Sequence, residues 1–241
     1  MTKRKYITII FVISILTISP IVYSQNLSTK QIVDNKKSIN INNTTVLVAG
    51  FGPFLSYNVN PSELIALELD GETISGAGII GLPVQVNLSN FSESIEYVYQ
   101  AIEFYNPDYV LLIGLNPSKK KIRIEKIGIN FKKEMKENQK LEKLIPNGRL
   151  FRFSHLPGLK IVFKLRNEKI PSTIGFYAGV SLCNGMLYSL LHHIDVKNLD
   201  IKSGFIHVPL HKTEENPEGM ELETMFNATR IIIDVCLDHF S

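Results

Sequence analysis

Three side chains of this 241-residue sequence, Cys183, His207 and Glu125, are of types that together can perform nucleophilic catalysis. Cys183 lies at the start of a predicted helix, where the positive end of the helix dipole favours the reactive thiolate over the thiol. The alternative for a free cysteine is a small buried hydrophobic residue. For Cys236, which lies on the apolar stripe of the last predicted helix, we favour that alternative.

His207 and Glu125 supply the two further functions that a cysteine nucleophile needs. His207 follows the apolar residues 204–206 at the end of a predicted strand, so it is either a core histidine or the base that pairs with Cys183. Glu125 lies among the alternating charges of residues 122–126, a pattern that is also typical of the solvated face of an edge strand. If Glu125 instead orients a histidine, the three residues form a triad.

Other candidate sites have weaker support. His192 and His193 are adjacent on a predicted helix, so they point apart and lack the i, i+4 spacing of a metal-binding pair. The two cysteines are too few for a disulfide scaffold or a four-cysteine zinc site. Residues 119–121 and Arg123 form a basic cluster without interleaved aromatic residues, which favours a solvated loop. We therefore predict no metal and no cofactor.

The elements that must position these residues alternate between strands and helices. Apolar runs predict strands over residues 45–49, 79–84, 109–115, 172–177 and 204–208. Helical periodicity and capping residues predict a helix that begins after Asn60, and further helices over residues 89–104, 159–168, 181–194 and 218–240. This alternation predicts an α/β fold, a single three-layer αβα domain around a mostly parallel twisted sheet. Active sites of such sheets lie at the carboxyl ends of parallel strands, where we expect Cys183 and His207 to meet.

The first 24 residues have the layout of a secretory signal peptide. Three basic residues at positions 3–5 precede an apolar run over residues 7–18, and small or tolerated residues stand before Gln25. This run is shorter than the ~20 residues of a membrane-spanning helix, so an uncleaved anchor is the less favoured alternative. We predict export without membrane attachment after cleavage, a polar linker over residues 25–44 and a folded domain over residues 45–241.

Composition excludes several classes of protein. The chain is 44% apolar and 20% charged, with 15 glycines and 11 prolines, which excludes disordered and collagen-like proteins. The formal charge of +3 falls to zero without the three cations of residues 1–24, a segment that has no acidic residue. Because nucleic-acid-binding proteins normally carry a basic footprint, we expect no nucleic-acid partner.

Several segments together resemble the pyroglutamyl-peptidase I family of cysteine peptidases. Residues 178–184, which include Cys183, are similar to the family's nucleophile motif, and residues 204–209, which include His207, are similar to its histidine motif. Further similar segments follow the family's order, at residues 46–54, 60–62, 82–84, 106–108, 124–130, 137–139 and 153–157.

This resemblance implies that the protein removes N-terminal pyroglutamate from peptides. It implies Cys183 as the nucleophile, His207 as the proton shuttle and Glu125 as the residue that orients His207. Pyroglutamate is uncharged, so an apolar slot is the expected binding site. The substrate-binding positions that the resemblance implies are Phe51, Phe54, Leu115, Lys119 and Leu182. Typical members of the family associate into oligomers, which suggests a homo-oligomer here.

The sequence departs from the family at the expected lactam pocket. Residues 114–119 read Gly-Leu-Asn-Pro-Ser-Lys where the family usually has Gly-Gln-Ala-Gly-Gly-Arg, so Lys119 replaces a planar guanidinium. Ser181 stands where the family has an aromatic residue, and its hydroxyl could cap the helix instead. The complete triad favours a peptidase. The altered pocket leaves open an exported relative that acts on another small amide or only binds peptides.

Overall fold

Strands and helices alternate along the chain as the sequence predicts. The computed structural model describes residues 44–87, 91–118, 120–133 and 141–241, so the predicted signal peptide and all but the last residue of the predicted linker lie outside the described residues. The described strands are β1 Thr45–Phe51, β2 Thr73–Ile74, β3 Ala77–Val84, β4 Tyr109–Leu115, β5 Ile122–Glu125, β6 Ile127–Ile129, β7 Lys132–Lys133, β8 Leu141–Glu142, β9 Phe151–Phe153, β10 Ser172–Gly175 and β11 Lys202–Val208. The described helices are α1 Pro61–Leu69, α2 Phe91–Tyr105, α3 Gly158–Asn167, α4 Leu182–Lys197 and α5 Leu222–Phe240.

Seven of these strands form one mostly parallel sheet, in the order β10-β5-β11-β4-β1-β3-β2. Neighbours within β11, β4, β1 and β3 are parallel, and so is the pair of β10 with β5. Two pairs are antiparallel, β5 with β11 and β2 with β3. The remaining short strands form two ribbons, β6 with β9 and β7 with β8.

Helices cover both faces of the sheet, which confirms the predicted αβα layering. On one face α1, α3 and α5 bury side chains such as Ile65, Ile161 and Ile232. On the other face α2 and α4 bury side chains such as Ile95 and Met186. Because both faces are covered, the central strands β1 and β4 are buried along their whole length. None of the described helices is both long and apolar enough to cross a membrane.

Strand β5 runs against β11, and this corrects one expectation: β10, the strand before Cys183, does not end at the edge of the sheet where His207 lies. The chain passes from β4 to β5 through residues 116–121 alone and skips the position of β11. A parallel crossover needs about a dozen residues or more, so this short connection forces the antiparallel direction. β10 follows the direction of β5. Residues 176–181 therefore have to lead back toward the end of β11 before α4 begins.

Most predicted elements differ from the observed ones only at their ends, and β4 has the predicted bounds. α4 continues to Lys197 and ends at Asn198, whose φ of 51° is left-handed. α5 begins at Leu222 rather than at residue 218, because an isolated bridge between His211 and Met220 holds the preceding segment in a turn. The predicted start of α2 at residue 89 lies outside the described residues.

Candidate active site

Strand pairing brings His207, Gly114, Arg123 and Glu125 to one face of the sheet. His207 of β11 is the register partner of Gly114 in β4 and of Arg123 in β5. Paired residues share a face and side chains alternate along a strand, so Glu125, two residues after Arg123, also lies on this face. Phe205, the partner of Glu125, is buried in the core beneath α2 and α4. These positions therefore belong to the side of the sheet that α4 covers.

The Glu125 carboxylate is fully buried and bound to His207. Nδ1 of His207 lies 2.8 Å from Oε1 of Glu125, and Nε of Arg123 donates to the same oxygen at 3.1 Å. Burial acts to raise the pKa of Glu125, but the hydrogen bonds and charges of His207 and Arg123 outweigh it and lower that pKa. The solvated-face interpretation of Glu125 is therefore wrong, since its side chain is 0% exposed and β5 lies between β10 and β11.

Cys183, the second residue of α4, interacts with the same histidine. Nδ1 of His207 is engaged by Glu125, which leaves Nε2 as the ring nitrogen available to the thiol. Burial acts to lower the pKa of His207, but Cys183 and Glu125 outweigh it and raise that pKa to about 9. A protonated imidazole stabilises a neighbouring thiolate, which is how a cysteine becomes a nucleophile near neutral pH.

Two glycines provide the space in which these side chains meet. A Cβ atom at Gly114 would lie 2.6 Å from Cζ of Phe205 and 3.5 Å from the Cys183 sulfur. A Cβ atom at Gly175, the register partner of Glu125 in β10, would overlap the Glu125 carboxylate. Any larger residue at Gly175 would displace the group that holds His207.

Asn184 fastens the start of α4 to the chain that follows Glu125, and the sequence alone does not single it out. Its Oδ1 accepts from the Ile129 amide at 2.8 Å, and its Nδ2 donates to the carbonyls of Ile129 at 2.8 Å and Phe131 at 2.9 Å. Asn184 is fully buried. The sequence offers one signal for this role. Asn184 is a polar residue at the start of an otherwise apolar helical stretch, and a buried amide must find hydrogen-bond partners.

The His207 ring packs against a pair of stacked aromatic rings. The Phe205 ring centroid lies 4.8 Å from that of His207, and the Phe51 ring stacks on Phe205 at 6.1 Å. Phe51 and Phe205 are almost fully buried in the core under α2 and α4. Phe51 is therefore joined to the candidate site through Phe205.

The structure places the other predicted substrate-binding residues in different environments. Phe54 is half-buried, with its ring 5.4 Å from that of Tyr57. Leu182 is half-buried at the start of α4, next to Cys183. Leu115 is only 4% exposed, and strand alternation assigns it to the face opposite Gly114. Lys119 lies outside the described residues.

Ser181 and Arg123 differ from their sequence-based interpretations. Ser181 is the N-cap residue of α4, but its side chain makes no capping hydrogen bond and is exposed. The helix-capping alternative for its hydroxyl is therefore wrong. Arg123 is part of β5, with a side chain only 19% exposed and bound to Glu125, rather than part of a solvated basic loop.

The remaining candidate residues have structural partners elsewhere in the fold. Cys236 is buried in the core, and burial raises its pKa to about 12. Nδ1 of His192 lies 2.8 Å from Nη2 of Arg152, and the His193 ring stacks on Tyr99. Across the part of the chain that the structure describes, no three His, Cys, Asp or Glu side chains are grouped as a metal site would require.

Comparisons with known proteins identify the family of this chain. The family model described as pyroglutamyl peptidase matches residues 44–239. The pyrrolidone-carboxylate peptidase of Pyrococcus furiosus is 35% identical over 208 residues, which cover 80% of this chain and 98% of that protein. The corresponding protein of Bacillus cytotoxicus is 30% identical over 202 residues, which cover 80% and 93%.

Solved structures of these peptidases have the same fold. The pyrrolidone carboxyl peptidase of Thermococcus litoralis superimposes with a TM-score of 0.74 at 28% identity, covering 82% of this chain and 94% of that one. A variant of the Pyrococcus furiosus protein gives a TM-score of 0.74 at 33% identity, covering 82% and 100%. The match spans nearly all of the described residues, and this chain, a hydrolase, belongs to the pyroglutamyl peptidase family.

Proposed function

We propose that this protein hydrolyses the amide bond that follows an N-terminal pyroglutamate in peptides. The sulfur of Cys183 attacks the pyroglutamyl carbonyl carbon, and the carbonyl oxygen takes up the negative charge of the tetrahedral intermediate. His207 gives its proton to the leaving amine as the carbon–nitrogen bond breaks, which releases the shortened peptide. A thioester between Cys183 and the pyroglutamyl group remains.

Water completes the reaction. His207, now neutral, removes a proton from a water molecule that attacks the thioester carbon. The carbon–sulfur bond breaks, free pyroglutamate leaves and the Cys183–His207 pair returns to its first state. Glu125 stays ionised throughout, because its task is to orient the His207 ring and stabilise the imidazolium.

The start of α4 offers a site for the negative oxygen of the intermediate. The first amides of a helix have no partner within the helix, and the Cys183 amide lies in this first turn. We propose that this N–H group donates to the oxyanion, with support from the helix dipole.

A single observation carries this proposal: His207 is buried with Glu125 on Nδ1, and Cys183 lies near enough to raise the pKa of its ring. A core histidine needs only hydrogen-bond partners. Here a buried carboxylate and a half-buried thiol at a helix start both act on the ring, which is the arrangement that nucleophilic catalysis requires.

For the lactam ring we propose contacts from Phe54, Leu182 and Lys119. Phe54 and Leu182 are half-buried and keep surface for a ligand, and Lys119 is proposed from the family resemblance alone. Phe51 and Leu115 are almost fully buried, so their proposed role is to shape the site from within the core. Residues 114–119 and Ser181 differ from the residues that the family usually has at these positions. We therefore expect this chain to depart from the family in the substrate that it accepts rather than in the reaction.

The test is hydrolysis of a fluorogenic pyroglutamyl amide by the purified protein under reducing conditions, beside unblocked aminoacyl amides. We expect release of the fluorophore from the pyroglutamyl amide alone. Cleavage of the unblocked amides instead would show that the changed pocket serves another small amide. Binding of pyroglutamyl peptides without cleavage would identify a peptide-binding relative.

We further propose that residues 1–24 direct export and that residues 25–44 link the signal to the domain. Expression in a secreting host should give a mature protein whose N-terminal sequence starts at Gln25. A protein that keeps Met1 in the membrane fraction would support the anchor instead.

Self-association is the last element of the proposal. Exposed large apolar side chains on β9 and α3 offer surface for a second copy, and they include Phe151, Phe153, Leu159 and Phe163. Light scattering should give a multiple of the monomer mass, and a monomer at high concentration would contradict this.

A further inference from the structure

Glu125 receives two donors on one oxygen. Nδ1 of His207 and Nε of Arg123 both bind Oε1, at 2.8 Å and 3.1 Å, whereas the buried Oε2 has no hydrogen-bond partner among the described residues. A triad needs only the first of these bonds. The second comes from a cation on the same strand, two residues before Glu125.

The ionisable groups around this carboxylate are few. His207 reaches it from β11 and Arg123 from its own strand, whereas β10 contributes only Ser172–Gly175, which has no titratable side chain. From α4, Cys183 acts on His207. Arg123 is thus the one permanent cation that the described residues place against the buried trio.

We infer that Arg123 is a positioning residue that sets the pH range over which Cys183 and His207 are active. Arg123 acts on the Glu125–His207 pair in two opposite ways. Its hydrogen bond and charge keep Glu125 ionised and in place. Its charge also competes with His207 for the same carboxylate oxygen, so the imidazolium is held less tightly than a free Glu125 would hold it. This inference rests on the proposed function, because the pH range matters only for an active enzyme, but its test does not require that activity.

Removal of the cation should shift the titration of His207 to higher pH. A nearby positive charge favours the deprotonated form of a neighbouring acid, so its loss raises the pH at which the His207 imidazolium loses its proton. Removal of Glu125 should act in the opposite direction, because the imidazolium then loses its counter-charge. A purely structural contact would lower the alkylation rate without moving this titration.

The experiment measures the rate of Cys183 alkylation by iodoacetamide across pH for the full chain and its variants. Cys236 is buried, and the Cys183→Ser variant gives the background rate. Arg123→Met keeps a long apolar stem without the charge, Arg123→Gln keeps hydrogen-bonding capacity without the charge, and Arg123→Lys keeps the charge without the planar fork.

Loss of the imidazolium proton changes the charge beside the Cys183 sulfur and therefore the alkylation rate. We expect the pH of this change to move upward by about one unit in Arg123→Met and Arg123→Gln. Arg123→Lys should restore more than half of this shift. An unmoved profile in Arg123→Gln, or a shift in Arg123→Lys as large as in Arg123→Met, would overturn the inference. If Arg123→Met does not fold, the Gln and Lys variants decide.

Alkylation requires the Cys183 sulfur but no pyroglutamyl substrate, so this result is separate from the proposed function. A protein without pyroglutamyl amidase activity would contradict the proposed function and leave the alkylation profiles interpretable. An active enzyme whose alkylation profile does not move on loss of Arg123 would keep the function and reject the role of Arg123.

Discussion

At the scale of single residues, the site depends on a carboxylate buried without any contact with solvent. Isolated burial would favour the neutral acid. The hydrogen bonds and charges of His207 and Arg123 lower the pKa of Glu125 instead, and Cys183 and Glu125 raise the pKa of His207. These opposite shifts describe an ion pair, in which each partner stabilises the charge of the other.

Substitution of Glu125 by Gln tests this pair. The amide keeps the shape of the side chain but removes the charge, so it should lower kcat by about 10²–10⁴-fold with little change in KM. Steady-state kinetics on a pyroglutamyl amide would measure both. Glu63→Gln, a half-buried carboxyl on α1, is the matched control and should keep the parent kcat. An unchanged kcat in Glu125→Gln would return this residue to a structural role.

Substitution of Ser181 by Phe tests the altered lactam pocket. Because the Ser181 side chain makes no capping bond, its loss should not lower the melting temperature. An aromatic wall beside Cys183 should bury more of the ring and raise kcat/KM for a pyroglutamyl amide by about tenfold, the effect of one or two apolar contacts. Ser181→Ala is the control without an added ring. A variant that melts normally and gains nothing would show that Ser181 does not limit recognition.

At the scale of elements, the sequence predicted what local periodicity encodes. The apolar run of β4 has no competing pattern, and the cap at Asn60 starts α1, where its side chain accepts from the Ser62 amide at 3.1 Å. The position of β5 could not be predicted in this way. Its alternating charges look like a solvated edge, and only pairing with β10 and β11 shows that Glu125 faces the interior.

The same limit applies to the candidate site. Cys183, His207 and Glu125 can be predicted because their residue types carry chemistry and their motifs resemble a known family. Asn184 binds backbone carbonyls and Gly175 leaves room for the Glu125 carboxylate, and no spacing in the sequence encodes either contact. Arg123 was assigned to a solvated cluster, because neighbouring lysines in the sequence hide its different environment in space.

Gly175→Ala tests the contact between β10 and the buried carboxylate. The new methyl group overlaps Glu125, so β10 or Glu125 must shift, at a cost of about 1–3 kcal/mol in stability. We expect kcat to fall as well, because His207 loses its aligned partner. Ile174→Val on the same strand should cost about 0.5–1.5 kcal/mol with an unchanged kcat. Equal kinetics in the two variants, measured beside urea unfolding, would contradict the proposed contact.

At the scale of the whole molecule, the ionised pair links stability to pH. The pKa of His207 rises from its ordinary 6.5 to about 9 on folding, so its contribution is complete below pH 6.5 and is lost as the pH rises through 9. The pKa of Glu125 is lowered from 4.5, so its contribution is complete above pH 4.5 and is lost on acidification. Both contributions are present together between these limits.

Urea unfolding of the parent protein and of His207→Gln, at several pH values from 6 to 9.5, isolates the histidine. The stability difference in favour of the parent should be largest near pH 6 and should shrink as the pH approaches 9. Subtraction of the variant removes the contributions of other groups that titrate over this range. A difference that grows with pH would show that the folded protein holds His207 neutral.

The central claim, that Cys183 is the nucleophile, is tested most directly by the turnover of Cys183→Ser on a pyroglutamyl amide. A serine hydroxyl is far less ionised than a thiol, so turnover should fall by at least about 10⁴-fold. The melting temperature should stay close to that of the parent, because oxygen replaces a half-buried sulfur. Substantial turnover in a folded Cys183→Ser protein would contradict the account.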